Sequence, residues 1–244
     1  MNSDVAFDDI LAQNCVGALR RIIVTEPGRL VVQQQKLGFT LLDTLFSIMK
    51  MNNVKIELLR EAAGLIFFLQ ETPENLEYIA LVTESSTALE DTFMGLLDRH
   101  GEGEEFLHME AAHALCGLSC KATSKLHIGR NGGVKLLFKM LKNNLRMLGA
   151  LDKKFNDGDA DVMDVEEFDE LSENMRICLM CTLNLSTEEE FHWDICRMFL
   201  KMLIEMAYDE DEKDLGKLCC KIICNLEKSP VAKVSNFLYR EQLR

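Results

Sequence analysis

The sequence predicts an all-α protein built from about four stacked helical repeats. Three observations lead to this prediction. Only 3 prolines and 7% aromatic residues occur among 244 residues, whereas leucine, alanine, methionine, glutamate and lysine are abundant, which favours helix over sheet. Five segments carry small or apolar residues at helical spacing along one face. The last apolar residues of these segments are spaced by 47, 49, 67 and 41, mostly close to the length of helical repeats.

Each of the five segments ends in leucine or isoleucine before a polar break. They are Gln13–Ile22, Arg60–Leu69, Met109–Leu118, Ile177–Leu185 and Leu218–Leu226. Another apolar helical stretch precedes most of them. Because a single repeat cannot bury its apolar face alone, neighbouring repeats are expected to stack into one continuous core.

The spacing of 67 is explained by an acidic insertion at residues 152–173. This stretch contains ten acids and two lysines, a net charge of −8 out of −13 for the whole chain. Such a composition predicts a disordered acidic loop. A calcium site of the EF-hand type is not expected, because Val162 and Phe168 stand where that loop needs glycine and glutamate. The loop's candidate interaction residues are Asp157, Asp159, Asp161, Asp164, Glu166 and Glu167.

A junction between two repeats is visible in Met109–Leu141. "EAAHAL" (Glu110–Leu115) is followed by "LS" (Leu118–Ser119), a short connector and "GGV" (Gly132–Val134), and then by a new apolar helix. This order resembles the armadillo repeat, whose third helix reads "AAxALxNLS" and whose next helix follows a glycine pair. Parts of the motif recur as "EAAGL" (Glu61–Leu65), "CTLNLS" (Cys181–Ser186) and "ICNL" (Ile223–Leu226). The resemblance is good over 100–142, fair over 55–70 and 174–227, and thin over the first 50 residues. An irregular helical bundle is the alternative.

The resemblance implies an armadillo-like right-handed superhelix of about four repeats with an acidic loop insertion, forming a single domain over 1–244. Residues 1–35 would be a partial repeat or cap, and 231–244 a C-terminal cap. The repeats would span 36–73, 74–127, 128–187 and 188–230. Paired alanines at 62/63 and 111/112 predict close helix packing. Gly132 and Gly133 predict a turn with positive φ.

In importin-like and catenin-like members of that family, a tryptophan and an asparagine four residues apart on the third helix line a peptide-binding groove. The corresponding pairs here are Gly17/Arg21, Gly64/Phe68, His113/Gly117, Met180/Asn184 and Lys221/Asn225. Since only the two asparagines match, recognition of nuclear signals of the importin kind is not expected. The candidate partner-binding residues are Arg21, Phe68, His113, Asn184 and Asn225. The asparagine amides could pair with a peptide backbone or satisfy carbonyls at helix ends.

The predicted function is a non-enzymatic scaffold that binds peptide or helical segments of other proteins, including basic ones steered by the acidic loop. The acidic charge argues against nucleic acid as a partner. No nucleophile and base, cofactor motif or paired metal-ligand spacing is recognisable; Cys178 and Cys181 form a lone CxxC. With neither a targeting signal nor a membrane-spanning stretch, the expected location is the cytoplasm, with the nucleus as a second compartment.

The alternative prediction is a co-chaperone or complex-assembly-factor module that forms the C-terminal part of a larger multidomain protein. The two predictions differ in the surface expected for residues 5–23. Exposed apolar side chains there would support the alternative, because an apolar repeat end exposed to water is unfavourable and a preceding domain would cover it. A polar outer face would instead indicate a self-contained cap.

Overall fold

The computed structural model describes residues 9–34, 38–51, 54–69, 75, 87–98, 105–157, 161–208 and 213–230. All regular elements in these ranges are helices, as the composition predicts. They are α1 (Asp9–Ile23), α2 (Glu26–Gln34), α3 (Gly38–Lys50), α4 (Ile56–Leu69), α5 (Ala88–Leu97), α6 (Glu105–Leu118), α7 (Ala122–Arg130), α8 (Gly133–Asp157), α9 (Val162–Leu185), a 3-10 helix (Glu189–Phe191), α10 (His192–Ala207) and α11 (Lys213–Leu226). The chain divides into two compact units, Met1–Gly117 and Leu118–Arg244.

In the first unit, α4 forms the centre of the packing. Helix α1 lies along α4, while α3 packs on both α4 and α5. Ala62 and Ala63 of α4 are fully buried, as the paired-alanine pattern predicts. Small side chains at these positions let neighbouring helices approach closely.

In the second unit, two helical hairpins stack on each other. Helix α8 pairs with α9, and α10 pairs with α11. The hairpins then contact each other through α8 with α10 and through α9 with α11. The first helix of one hairpin thus packs on the first helix of the other, and the second on the second. This arrangement is compatible with a helical repeat fold. The predicted boundary between residues 127 and 128 falls inside α7.

The "NGG" segment separates two helices, as predicted, and its two glycines have different structural roles. Gly132 has a φ of 90°, a left-handed conformation that favours glycine. Gly133 already belongs to α8, and a Cβ atom there would lie 2.7 Å from the carbonyl oxygen of Ile128. Gly132 therefore makes the turn, and Gly133 allows α8 to start against the end of α7.

The predicted disordered acidic loop is wrong for the described residues of 152–173. Helix α8 continues to Asp157 and α9 begins at Val162, so nearly all of the stretch belongs to a helical hairpin. Leu151 and Leu171 are buried, and the rings of Phe155 and Phe168 meet edge to face at 6.0 Å. These apolar residues recur at helical spacing and hold the two helices together, while the acids point outward. Asp159 and the side chain of Asp164 lie outside the described residues.

Candidate functional site

The two candidate asparagines make the same type of contact within the second unit. Asn184 on α9 donates a hydrogen bond from Nδ2 to Ser119 Oγ at 2.9 Å. Asn225 on α11 donates from Nδ2 to Ser186 Oγ at 3.0 Å. Each serine is fully buried and directly follows the end of a helix, α6 or α9. Each bond therefore joins a helix of the second unit to a buried serine that is distant in the sequence.

Further bonds hold the two serines in place. Ser186 Oγ also donates to the carbonyl oxygen of Leu183 at 2.7 Å, while His192 Nε2 lies 2.7 Å from the carbonyl oxygen of Ser186. At the other junction, Cys181 Sγ lies 3.7 Å from Ser119 Oγ. A hydroxyl that both donates and accepts is satisfied in a buried position. These bonds fix the hydroxyl groups and, through them, the orientation of the asparagine amides.

A double-mutant cycle on Ser119 and Asn184 measures this contact. We expect Ser119→Ala to lower the free energy of unfolding by about 1 kcal/mol, because the buried acceptor of the Asn184 amide is lost. Asn184→Ala should cost a similar amount, and the double variant clearly less than the sum. Urea unfolding followed by circular dichroism provides the measurement.

The matched control for the cycle is Thr123→Ala on the exposed surface of α7. It should change stability by less than about 0.5 kcal/mol. Strict additivity of the Ser119 and Asn184 effects would show that the two side chains do not interact in solution.

The first unit contains a largely buried ionic network that links three helices, α1, α4 and α6. Arg20 of α1 lies 3.4 Å from Glu61 of α4 and also forms an ion pair with Glu110 of α6. Glu110 is almost fully buried, with 3% of its side chain exposed. Burial lowers the pKa of the Arg20 guanidinium, and the Glu61 carboxylate opposes that effect. The guanidinium still remains charged, since arginine does not deprotonate in proteins.

Gly64 makes room for this network. A Cβ atom at this position would lie 2.6 Å from Cζ of Arg20 and 2.8 Å from Oε2 of Glu110. The arginine therefore crosses α4 where that helix carries no side chain. In the predicted groove this position would carry a ligand-binding residue, whereas here it accommodates an internal ion pair.

The other candidate residues of the first unit differ in accessibility. Arg21 is exposed. Phe68 is half-buried beside Phe67, with ring centroids 5.2 Å apart, and Phe67 in turn contacts the ring of His113 at 4.3 Å. His113 is buried, with 8% of its surface exposed, so little of its side chain is accessible to a partner. Arg21 and Phe68 thus offer the accessible surface, and their role in binding stays a prediction.

The acidic part of the α8–α9 hairpin, residues 152–173, is called the acidic hairpin below, and most of its charged side chains are exposed. The exposed members of the predicted set are Asp157, Asp161, Glu166 and Glu167. The pKa of Glu170 is raised, first by partial burial and then by the negative charges of Glu166 and Glu167. The carboxylates are therefore close enough to repel one another, and they create a concentrated negative potential at this end of the hairpin.

The buried cysteines are poorly suited to nucleophilic chemistry. Cys178 and Cys181, the lone CxxC, are fully buried on α9. Burial raises the pKa of Cys181 to about 12 and that of Cys219 to about 12, while that of Cys196 is raised to about 11. Since the thiolate is the reactive form, these thiols remain protonated and unreactive near neutral pH.

Comparison with known proteins supports the fold class only. No protein-family profile matches the chain. No curated protein matches it either. Its structure is similar to the crystal structure of an engineered protein, target OR329 of the Northeast Structural Genomics Consortium, with a TM-score of 0.52 and 15% sequence identity over 92% of this chain and 93% of the other. A second engineered protein, target OR366, gives a TM-score of 0.52 and 14% identity over 92% of this chain and 96% of the other.

Among the residues that the structure describes, no helix has both the length and the apolar character needed to cross a bilayer.

Proposed function

We propose that this protein is an armadillo-type α-solenoid that acts as a non-enzymatic scaffold for other proteins. The observation that carries the proposal is the repeated bond from Asn184 to Ser119 and from Asn225 to Ser186. Its donors and acceptors occupy the positions where the armadillo motif writes asparagine and serine. A contact that recurs at two successive positions along the second unit supports translationally stacked repeats, and such arrays present extended binding surfaces.

The proposed binding surface in the second unit follows the two asparagines on α9 and α11. A primary amide has two N–H groups and a carbonyl oxygen, so it can bond a serine and a peptide at the same time. Within the protein, Asn184 Nδ2 also lies 3.6 Å from Cys120 Sγ, and Asn225 Oδ1 accepts a hydrogen bond from Lys228 Nζ at 3.2 Å, so a bound peptide would share the amides with these partners. Both side chains are half-buried rather than enclosed. An extended peptide could therefore pair its backbone with amides whose orientation the serines have already set, which lowers the entropy cost of binding.

Peptides selected from a random display library on the intact chain test this proposal. Asn184→Ala combined with Asn225→Ala should weaken their binding at least about tenfold, because two amide contacts are lost. Fluorescence anisotropy gives the dissociation constants.

The matched control is Ser119→Ala combined with Ser186→Ala. It removes the same two internal bonds but keeps both amides, so binding should fall much less. Equal losses in the two double variants would point to a structural effect alone. Selected peptides that bind both variants as tightly as the intact chain would refute the proposed surface.

The acidic hairpin is proposed to steer basic partners. Exposed charges of one sign accelerate the association of oppositely charged partners, and salt screens that effect. For selected peptides that are basic, we expect the association rate to fall between low and physiological ionic strength. Stopped-flow measurements on intact protein and on Glu166→Gln/Glu167→Gln would show a shallower salt dependence for the variant.

Glu227→Gln, an exposed site outside the hairpin, is the control. A salt-independent rate for the intact chain would contradict steering.

One observation favours the second candidate function, a co-chaperone or assembly-factor module within a larger assembly. Ile10, Leu11 and Ile22 of α1 are all more than half exposed. This is the apolar surface that the alternative prediction requires. Under this candidate function, another folded protein surface covers α1 and shields these side chains from water.

A further inference from the structure

Helix α1 carries apolar side chains on two of its faces. Val16 and Ile23 are buried on the side that packs against α4. About a third of the way round the helix, an exposed stripe runs through Leu11, Cys15, Ala18 and Ile22. This spacing of i, i+4, i+7 and i+11 is the pattern by which one helix packs on another. An exposed apolar stripe that runs along three turns of a helix is suited to packing against a second helix.

Helix α2 and the turn before it carry further exposed apolar side chains. A Cβ atom at Gly28 would lie 2.9 Å from Cγ2 of Ile22, so the start of α2 lies against the end of α1. Val24, Leu30 and Val31 are each exposed by about half. The exposed apolar side chains of Leu11, Ile22, Val24, Leu30 and Val31, together with Cys15 and Ala18, are called the α1–α2 face below. A monomer rarely exposes so many large apolar side chains along so short a stretch of chain.

The sequence of the stripe is complementary to itself. Its two ends carry large residues, Leu11 and Ile22, and its centre carries the small residues Cys15 and Ala18. If two copies of α1 meet antiparallel, Leu11 of one copy lies opposite Ile22 of the other, and Cys15 lies opposite Ala18. Small residues at the crossing point allow the two backbones to approach closely. A two-fold axis requires this kind of self-matching surface.

Charge and area both fit a second copy of this chain. Residues 9–34 contain two acids and three arginines, whereas the whole chain has a net charge of −13. Two copies can therefore meet at this end without bringing their acidic surfaces together. A homodimer interface of standard size needs roughly 500 Å² of apolar surface per subunit. Seven exposed apolar side chains, five of them large, are on the order of that area.

We propose that the α1–α2 face is a symmetric dimer interface in which α1 packs antiparallel against α1 of a second copy. The interface is separate from the asparagine surface, so the inference does not depend on the proposed peptide binding. It competes with the assembly-factor candidate, in which a different protein covers the same face.

Sedimentation velocity over a range of micromolar concentrations tests the proposal. The intact chain should reach a mass about twice the 27.8 kDa of one copy. Ile22→Glu combined with Leu30→Glu should raise the dimer dissociation constant at least about tenfold, because four buried charges would enter the interface. Both positions are exposed in the single chain, so the variant should fold, and circular dichroism checks this. Trp193→Glu, at an exposed site on α10, is the matched control.

A cross-linking experiment tests the antiparallel register. In Ala18→Cys, the added thiol should lie opposite Cys15 of the second copy. Oxygen with copper phenanthroline as the oxidant should then join the two thiols in a disulfide-linked dimer, and Cys15→Ser in the same background should strongly reduce it. A monomer at all concentrations would overturn the proposal, and so would a dimer unaffected by the glutamate variant. A failure of Ala18→Cys to cross-link through Cys15 would overturn the antiparallel arrangement.

Discussion

Replacing Arg20 by methionine is expected to lower the free energy of unfolding by about 3 kcal/mol. The substitution keeps much of the side-chain volume but leaves Glu110, which is 3% exposed, without its ion pair. Glu61, only 18% exposed, loses the same partner. An uncompensated buried carboxylate is costly because few water molecules can reach it. Chemical unfolding monitored by circular dichroism measures the change.

Two further variants make the Arg20 result specific. Arg20→Met combined with Glu110→Met should recover much of the loss, because replacing a whole buried pair by apolar residues is often tolerated. Arg21→Met, at the exposed neighbour, should change stability by less than about 0.5 kcal/mol. If Arg20→Met is as mild as Arg21→Met, the network does not stabilise the protein.

Phe199→Ala should destabilise the second unit by about 3–5 kcal/mol. Phe199 of α10 is fully buried, and its ring meets Phe138 of α8 edge to face at 5.3 Å. These two helices form one of the two contacts between the stacked hairpins, so the cavity would open in the core between the hairpins. The midpoint temperature of thermal unfolding and the midpoint denaturant concentration of chemical unfolding would both fall.

The control for Phe199 lies on the same helix. Trp193 is 49% exposed, so Trp193→Ala should have a much smaller effect on stability. Equal effects of the two substitutions would contradict the assignment of one face of α10 to the core. Phe199→Leu should be intermediate, because it leaves a smaller cavity.

The sequence correctly predicted the helical fold because its periodic signals are local. Apolar residues at helical spacing mark one face of each helix. The "NGG" break marks a helix boundary through the positive φ of Gly132, which can be read without knowing the fold. The buried alanine pairs of α4 and α6 were predicted for the same reason.

The acidic hairpin shows where composition misleads. Ten acids within residues 152–173 indicated disorder. The decisive signal was the spacing of Leu151, Phe155, Phe168 and Leu171, four residues that hold two helices together. These residues recur at helical spacing, which the sequence shows. A few apolar residues are enough to hold two helices together when both helices continue from a packed core.

The ionic and polar contacts between helices that are distant in the chain could not be predicted from the sequence alone. "EAA" at Glu61 and Glu110 and serine at 119 and 186 are repeated signals, but they do not identify their partners. Arg20 lies 41 residues from Glu61 and 90 from Glu110, and Ser119 lies 65 residues from Asn184. Periodicity is a property of neighbouring residues, so the sequence by itself determined the helices, their apolar faces and the glycine turn. Only the tertiary structure decided which buried charges and amides meet, because stacking brings together side chains that are distant in the chain.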